Sequence, residues 1–407
     1  MFFMRQLFLL YTFLGFAIPG GVVYGVNYKF FLLPIILAFG IGHLIFNNKN
    51  VKISGIQLLF FIVVSVMLTQ GLMVGLSNNP DYVFEEFRLV FSIFIIFSLY
   101  YIIFRYEIES HKKFLQVAVY GVFFYNIFKL CLELLFILKF IDFEAIETIT
   151  LNYGGRVPVT SPLPFDMIRL YWTEMDLASI CVAYIFYVIN VNDTFGRYFK
   201  RIFYLTIFLG VIIGFSRLLI VLAVISFLVA MFFKFGPAKA FIKISFIALL
   251  LSTVAVGPLS ELLEKRFSES YIKTADDVRH EQVVSLLEKW SESPVLGEGF
   301  GASASILRSD EKPYQYEIWW LSFWMKTGVL GVVSFLILLL LPITLLNVGY
   351  SKESKYILFI YYIFILSSFT NQYMPSSISG LMLTLIYFSL KQTIHNVKTR
   401  NVYVTKN

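Results

Sequence analysis

The chain has 407 residues, 58% of them hydrophobic and 14% charged, with 45 Phe, 25 Tyr and a formal net charge of +7. Soluble domains carry roughly 25% charge, so this composition, with a mean hydropathy of +0.77, excludes an ordinary water-soluble globule and calls for lipid as solvent. The surplus of Lys and Arg fits retention in cytoplasmic loops, and no long basic stripe points to nucleic acid.

A backbone in lipid must satisfy its own hydrogen bonds, so crossings are helices of about 20 mostly apolar residues. About twelve stretches qualify. In order they are Leu7–Val23, Phe30–Phe46, Ile56–Leu76, Leu89–Phe104, Phe114–Phe136, Leu177–Val191, Ile202–Phe215, Leu218–Phe233, Phe241–Val256, Val329–Val348, Tyr356–Phe369 and Gly380–Leu390. Arg5 precedes the first, as in a signal peptide, but no small-residue cleavage site follows, and it reads as a membrane helix. The fold class is an all-α polytopic membrane protein.

Lys and Arg collect in alternate short loops: Lys49 and Lys52, then Arg105, Lys112 and Lys113, then Arg197, Lys200 and Arg201, then Lys234, Lys239 and Lys243, then Lys352 and Lys355. The C-terminal tail adds Lys391, Lys398, Arg400 and Lys406. By the positive-inside rule both termini are cytoplasmic. The chain then divides into 1–257 with the first nine spans, an outer loop at 258–327, and 328–407 with the last three spans and the tail. A smaller outer segment covers about 137–176. In the larger loop, Thr274 with Asp277 resembles a capping box ahead of a helix Val278–Trp290. Val283, Val284, Leu287 and Trp290 give that helix an apolar face.

Cys131 and Cys181 both lie in apolar runs, so neither a disulfide framework nor a thiolate metal site is expected. His43, His111, His280 and His395 are scattered, without metal-ligand spacing. Lys129 and Glu133, one helical turn apart inside a span, suggest a pair within the helix.

The informative charges are the arginines on the outer side. Arg217 follows Gly214-Phe215-Ser216 between two spans joined almost without a loop, where a charge is costly unless paired, snorkelling or functional. Arg279 stands early on the loop helix, beside His280. Arg156, Arg169, Arg266 and Arg308 also lie outside. Guanidinium groups gathered at a membrane surface suit a phosphate or pyrophosphate, because each offers a planar fork of donors and a permanent charge. Pro294-Val295-Leu296-Gly297-Glu298-Gly299-Phe300-Gly301 reads as a compact turn, since no strand or βαβ unit surrounds it as a nucleotide site requires. Glu317 opens the next apolar run, where it is either a general base or an acid favoured by a helix N-terminus.

The order Arg266, Arg279, Trp290, Pro294–Gly301 resembles the signature of the O-antigen polymerase and ligase superfamily. Gly214–Leu219 is similar to the family's Ser-Arg pair opening a helix, and Met167–Glu174 to the motif ahead of its middle span. The resemblance implies a metal-independent membrane glycosyltransferase of GT-C architecture in the bacterial inner membrane, without nucleotide sugar or other cofactor. Its active site would face the periplasm, and its donor would be a glycan on undecaprenyl pyrophosphate. It implies a chain-length regulator protein as a partner. The family's two key arginines map onto Arg217 and Arg279, with Arg169, Glu174, Arg266, Arg156 and Tyr316 as substrate-binding candidates. Ligases carry a His-Asn, His-Ser or His-Gln pair, nine residues and then a Gly; counted back from Gly328 the His position is Glu317, which favours polymerase. Glu317 is the expected base, His280 the second candidate and Glu174 the third. The rivals are an O-antigen ligase acting on lipid A–core and a transporter of lipid-linked oligosaccharide.

Overall fold

The computed structural model describes residues 2–18, 20–23, 26–46, 55–104, 107–153, 167–189, 195–214, 216–243, 245, 269–345, 351–371, 374 and 376–404. Over these residues the regular structure is helical, apart from a minimal antiparallel ladder of β1 (Val22–Val23) with β2 (Val26–Asn27). The helices are α1 (Phe2–Ala17), α2 (Tyr28–Phe46), α3 (Gly55–Asn78), α4 (Val83–Phe104), α5 (Ile108–Ile137), α6 (Phe143–Asn152) and α7 (Thr173–Ile189). There follow α8 (Arg197–Gly214), α9 (Arg217–Phe235), α10 (Glu269–Glu292), α11 (Trp319–Leu345), α12 (Lys352–Leu366) and α13 (Ser377–Val404).

Among the described residues five helices are long and apolar enough to cross a membrane: Leu58–Asn78, Val83–Phe104, Ile108–Ile137, Arg217–Phe235 and Trp319–Pro342. Phe3–Ala17 and Phe31–His43 are apolar but shorter. The expected span Phe241–Val256 lies almost wholly outside the described residues. Leu58, Leu59, Ile62, Val66 and Met73 of α3 are exposed, as lipid-facing side chains of a membrane helix must be.

One continuous apolar core joins the bundle. In it α1 packs on α5, α13 on α4, and α11 on α3. Two of its polar side chains, Thr12 and Tyr100, satisfy each other and the backbone of α1. The Tyr100 hydroxyl donates to the Phe8 carbonyl at 2.8 Å and lies 2.8 Å from Thr12 Oγ1. Cys131 and Cys181 are both free.

A second, smaller core sits under α10. Leu286, Ala302, Ala304, Tyr316, Ile318, Leu321 and Met325 are buried together, with Val283 and Trp290 packed against them. The sequence pattern misplaced this face. Val284 and Leu287 are 41% and 44% exposed, and Leu286 points inward instead. Residues 283, 286 and 290 share a side because helical neighbours recur every three to four residues. Thr274 is not at the helix start either, because α10 already begins at Glu269.

The membrane helix that follows also starts earlier than its hydropathy suggests, at Trp319, and breaks at Gly328, where φ is +59°. A break inside a membrane helix frees backbone groups that need new partners. The turn 294–301 supplies them. Glu298 N–H donates to the Met325 carbonyl at 3.0 Å, Gly299 N–H to the Lys326 carbonyl at 2.9 Å, and Val329 N–H to the Val295 carbonyl at 3.2 Å. On its other side Phe300 N–H donates to the Gly71 carbonyl of α3 at 2.9 Å. Gly299 has φ +84°, and a Cβ there would collide with the Gly75 backbone. The glycine-rich string is therefore a structural plug between α3 and the break in α11.

Candidate functional site

Two groups of polar residues carry the sequence candidates. The first stands where α10 meets the segment entering α11. Arg279 Nε donates to Glu317 Oε2 at 2.9 Å, and Arg308 Nη2 lies 2.7 Å from Glu317 Oε1. Arg279 Nη1 also reaches Asp276 Oδ1 at 3.2 Å. The Glu317 side chain is only 18% exposed, whereas Arg279 is 32% and Arg308 51% exposed. The carboxylate lies beneath, with the guanidinium groups nearer solvent.

The local fold explains this convergence. The small core under α10 fixes one face of the helix, which leaves Arg279 at its edge. Tyr316 is buried beside Glu317, and its hydroxyl accepts from Ala304 N–H at 2.6 Å. Burial also raises the Tyr316 phenol above its usual range, so it stays neutral. Tyr316 thus ties the segment beside Glu317 to the backbone at Ala304. His280 is exposed on the same helix. At the helix end Lys289 pairs with Glu292 and, at 3.4 Å, with Glu298 of the glycine-rich turn. Those carboxylates hold its ammonium above the usual lysine range, with the Glu292 hydrogen bond the larger cause.

Arg308 is the residue whose place in this group sequence reasoning missed. It was one of several outward arginines, with no spacing to tie it to Glu317. Gln282 was not singled out at all. It is wholly buried one turn after Arg279, and neither of its amide atoms has a hydrogen-bond partner.

The second group lies around the start of α9. Arg217 is its first residue and is half-buried. Arg169 Nε donates to the Gly214 carbonyl at 3.0 Å, and its guanidinium lies over the Tyr171 ring at 4.8 Å. This places the Met167–Glu174 stretch beside the Ser216–Arg217 step. Beneath them Lys129 Nζ pairs with Asp176 Oδ1 at 2.9 Å, and Tyr125 donates to the same oxygen at 2.8 Å. A Cβ on Gly214 would come within 3.1 Å of Asp176 Oδ2 and 3.2 Å of Lys129 Nζ, so a glycine lets the α8 end sit on this pair. Glu174 is within electrostatic reach of Lys29 and Tyr125.

The expected Lys129–Glu133 pair does not form. Lys129 reaches across to α7, and Glu133 accepts Ile168 N–H at 2.8 Å. The contacts of Arg279 and Glu317 do not include Arg217. Arg156 and Arg266 lie outside the described residues. Among the described residues no three His, Cys, Asp or Glu side chains come together as metal ligands.

No family model matches the chain, and no curated protein matches it either.

Proposed function

We propose that the chain is a surface-polysaccharide polymerase. It joins glycan repeat units carried on undecaprenyl pyrophosphate at the periplasmic face of the bacterial inner membrane. In this reading the apolar helices make a twelve-span bundle of GT-C kind with both termini cytoplasmic. The observation that carries the proposal is the 2.9 Å contact between Arg279 and Glu317. These are the two residues that the family resemblance marks in the outer loop and at its return to the membrane, 38 positions apart.

A hydroxyl of the incoming unit attacks the anomeric carbon of the donor. The bond from that carbon to the phosphate oxygen breaks, and the configuration inverts. Negative charge develops on the departing pyrophosphate, and Arg279 and Arg217 stabilise it. One preorganised donor of this kind is worth about 2.7–4 kcal/mol of barrier. The hydroxyl proton passes to Glu317, with His280 on the adjacent helix as the second base. An acid where the ligases carry His favours polymerase over ligase.

The test is a polysaccharide gel from cells carrying Arg217→Ala or Arg279→Ala, with membrane protein level measured in parallel. Each variant should lose polymer while its level holds. Normal ladders from both would overturn the assignment.

A further inference from the structure

The end of α5 singles out one side chain. Its last carbonyls are taken by the chain just past the helix. Phe140 N–H donates to the Leu135 carbonyl at 2.9 Å, and Lys139 N–H to the Phe136 carbonyl at 2.9 Å. A helix closes in this way when the residue after its cap turns left-handed, a place normally filled by glycine. Here Lys139 fills it, with φ +59°, the one non-glycine residue of positive φ among those described. A left-handed backbone strains any residue that carries a Cβ. No contact within the protein offsets that strain. The Lys139 side chain is exposed and makes no ion pair or hydrogen bond with a described residue.

The neighbours of Lys139 are apolar and uncovered. Leu138 is 55% exposed and Phe140 74%. Tyr120, Phe124, Cys131, Leu135 and Leu138 recur at helical spacing and are all exposed, which makes one lipid-facing stripe that runs into the elbow. Helix length sets its depth. α5 has 30 residues, so it is about 45 Å long. A bilayer measures about 40–45 Å with its headgroup layers. With Lys112 and Lys113 in the early turns at one headgroup layer, Lys139 reaches the other. A phospholipid there presents a phosphate above acyl chains, which complements an ammonium set between two apolar side chains. The carboxylate of Asp142, three residues on, is occupied in capping α6, where it accepts Ala145 N–H at 2.8 Å.

We propose that the elbow Leu138–Lys139–Phe140 is an anchor in the headgroup layer of the membrane. Lys139 sits on a phospholipid phosphate, and Leu138 and Phe140 lie among the upper acyl chains. The segment that returns through α6 therefore starts in the lipid interface and not in free water. The anchor sets the depth of α5, and with it that of Lys129 and Glu133 on the far side of the helix from the stripe.

The experiment uses the full-length protein in phosphatidylcholine nanodiscs, in a Cys131→Ser background that removes the exposed native thiol. A nitroxide is attached at Phe140→Cys and, as a hydrocarbon reference, at Phe124→Cys. Its relaxation is read with oxygen, which concentrates in lipid, and with a nickel chelate, which stays in water. Oxygen should dominate at both positions, by a smaller ratio at 140. Adding Lys139→Gly should shift the label at 140 toward the nickel chelate. The unfolding temperature of that variant in detergent should hold or rise, because glycine adopts positive φ without strain. A merely structural role for Lys139 would leave the depth of the label unchanged.

Dominance of the nickel chelate at 140 would put the elbow in water and overturn the inference. A ratio at 140 equal to that at 124 would put it in hydrocarbon, below any phosphate, and overturn it as well. A label immobilised and shielded from both reagents would mean that a second copy of the chain covers the elbow instead. An unchanged depth in Lys139→Gly would remove the phosphate contact.

Discussion

Glu86 and Lys326 stand 240 positions apart and form a buried ion pair at the break in α11. Glu86 Oε2 also accepts Gly301 N–H at 2.7 Å, and Lys326 donates to the Tyr314 carbonyl. The pair therefore ties α4, the glycine-rich turn and the loop leading to Glu317 to one point. Removing one partner of a buried pair leaves an uncompensated charge, at a cost of about 3–5 kcal/mol. Lys326→Met should destabilise by about that amount. Glu86→Gln with Lys326→Met should recover more than half of the loss, because Gln keeps an acceptor for Gly301 N–H. Unfolding in mixed micelles measures both, and a double variant no better than the single would refute the pairing.

The plug in α11 makes a sharp prediction for glycine. Gly299 (φ +84°) and Gly236 (φ +74°) both have positive φ, but a Cβ on Gly299 meets the Gly75 backbone whereas none of the described residues lies within 4 Å of one at Gly236. Gly236→Ala should cost about 1–3 kcal/mol, because φ +74° with ψ 168° is a backbone region occupied almost only by glycine. Gly299→Ala adds a backbone clash to its own positive-φ strain and should prevent accumulation of folded protein. Similar yields from the two variants, read by size-exclusion chromatography, would remove the plug.

Lys129 and Asp176 are almost fully buried, at 0% and 1% side-chain exposure. Lys129→Met should destabilise by about 3–5 kcal/mol, and Lys129→Met with Asp176→Asn should recover part of it. Because Arg169 and the Gly214–Arg217 step rest on this pair, the single variant should also lower polymer output per folded molecule. Output unchanged after correction for protein level would separate the pair from the site.

These residues show what was legible in the sequence. The apolar helices follow from hydropathy, since lipid leaves few alternatives for a backbone. The existence of α10 was legible as well. Its start and its inward face were not, because Leu286 and Val284 are equally apolar and only packing on Tyr316 and Met325 chooses between them. Local spacing proposed Lys129 with Glu133, but the real partner, Asp176, is 47 residues away. The glycine string read correctly as a turn. Its partners are carbonyls freed by the break in α11, and hydropathy carries no trace of that break. Glu317 and Arg279 were legible as candidates through the family resemblance, whereas Arg308 needed the fold to bring it to Glu317.

Arginine geometry gives a further prediction. Arg279→Lys keeps the charge but loses the planar fork that meets Glu317 and Asp276. Polymer synthesis should fall about a hundredfold, the scale of one lost transition-state donor. Activity within twofold of the unaltered protein, measured as polymer per folded molecule, would show that charge alone suffices.

The most direct measurement of the central claim is a gel of lipopolysaccharide, with the lipid-linked pool, from a strain lacking this protein. The polymerase account predicts lipid A–core bearing a single repeat unit and no long polymer in either pool. Full-length polymer still attached to undecaprenyl pyrophosphate and absent from lipid A–core would contradict it and assign the ligation step instead.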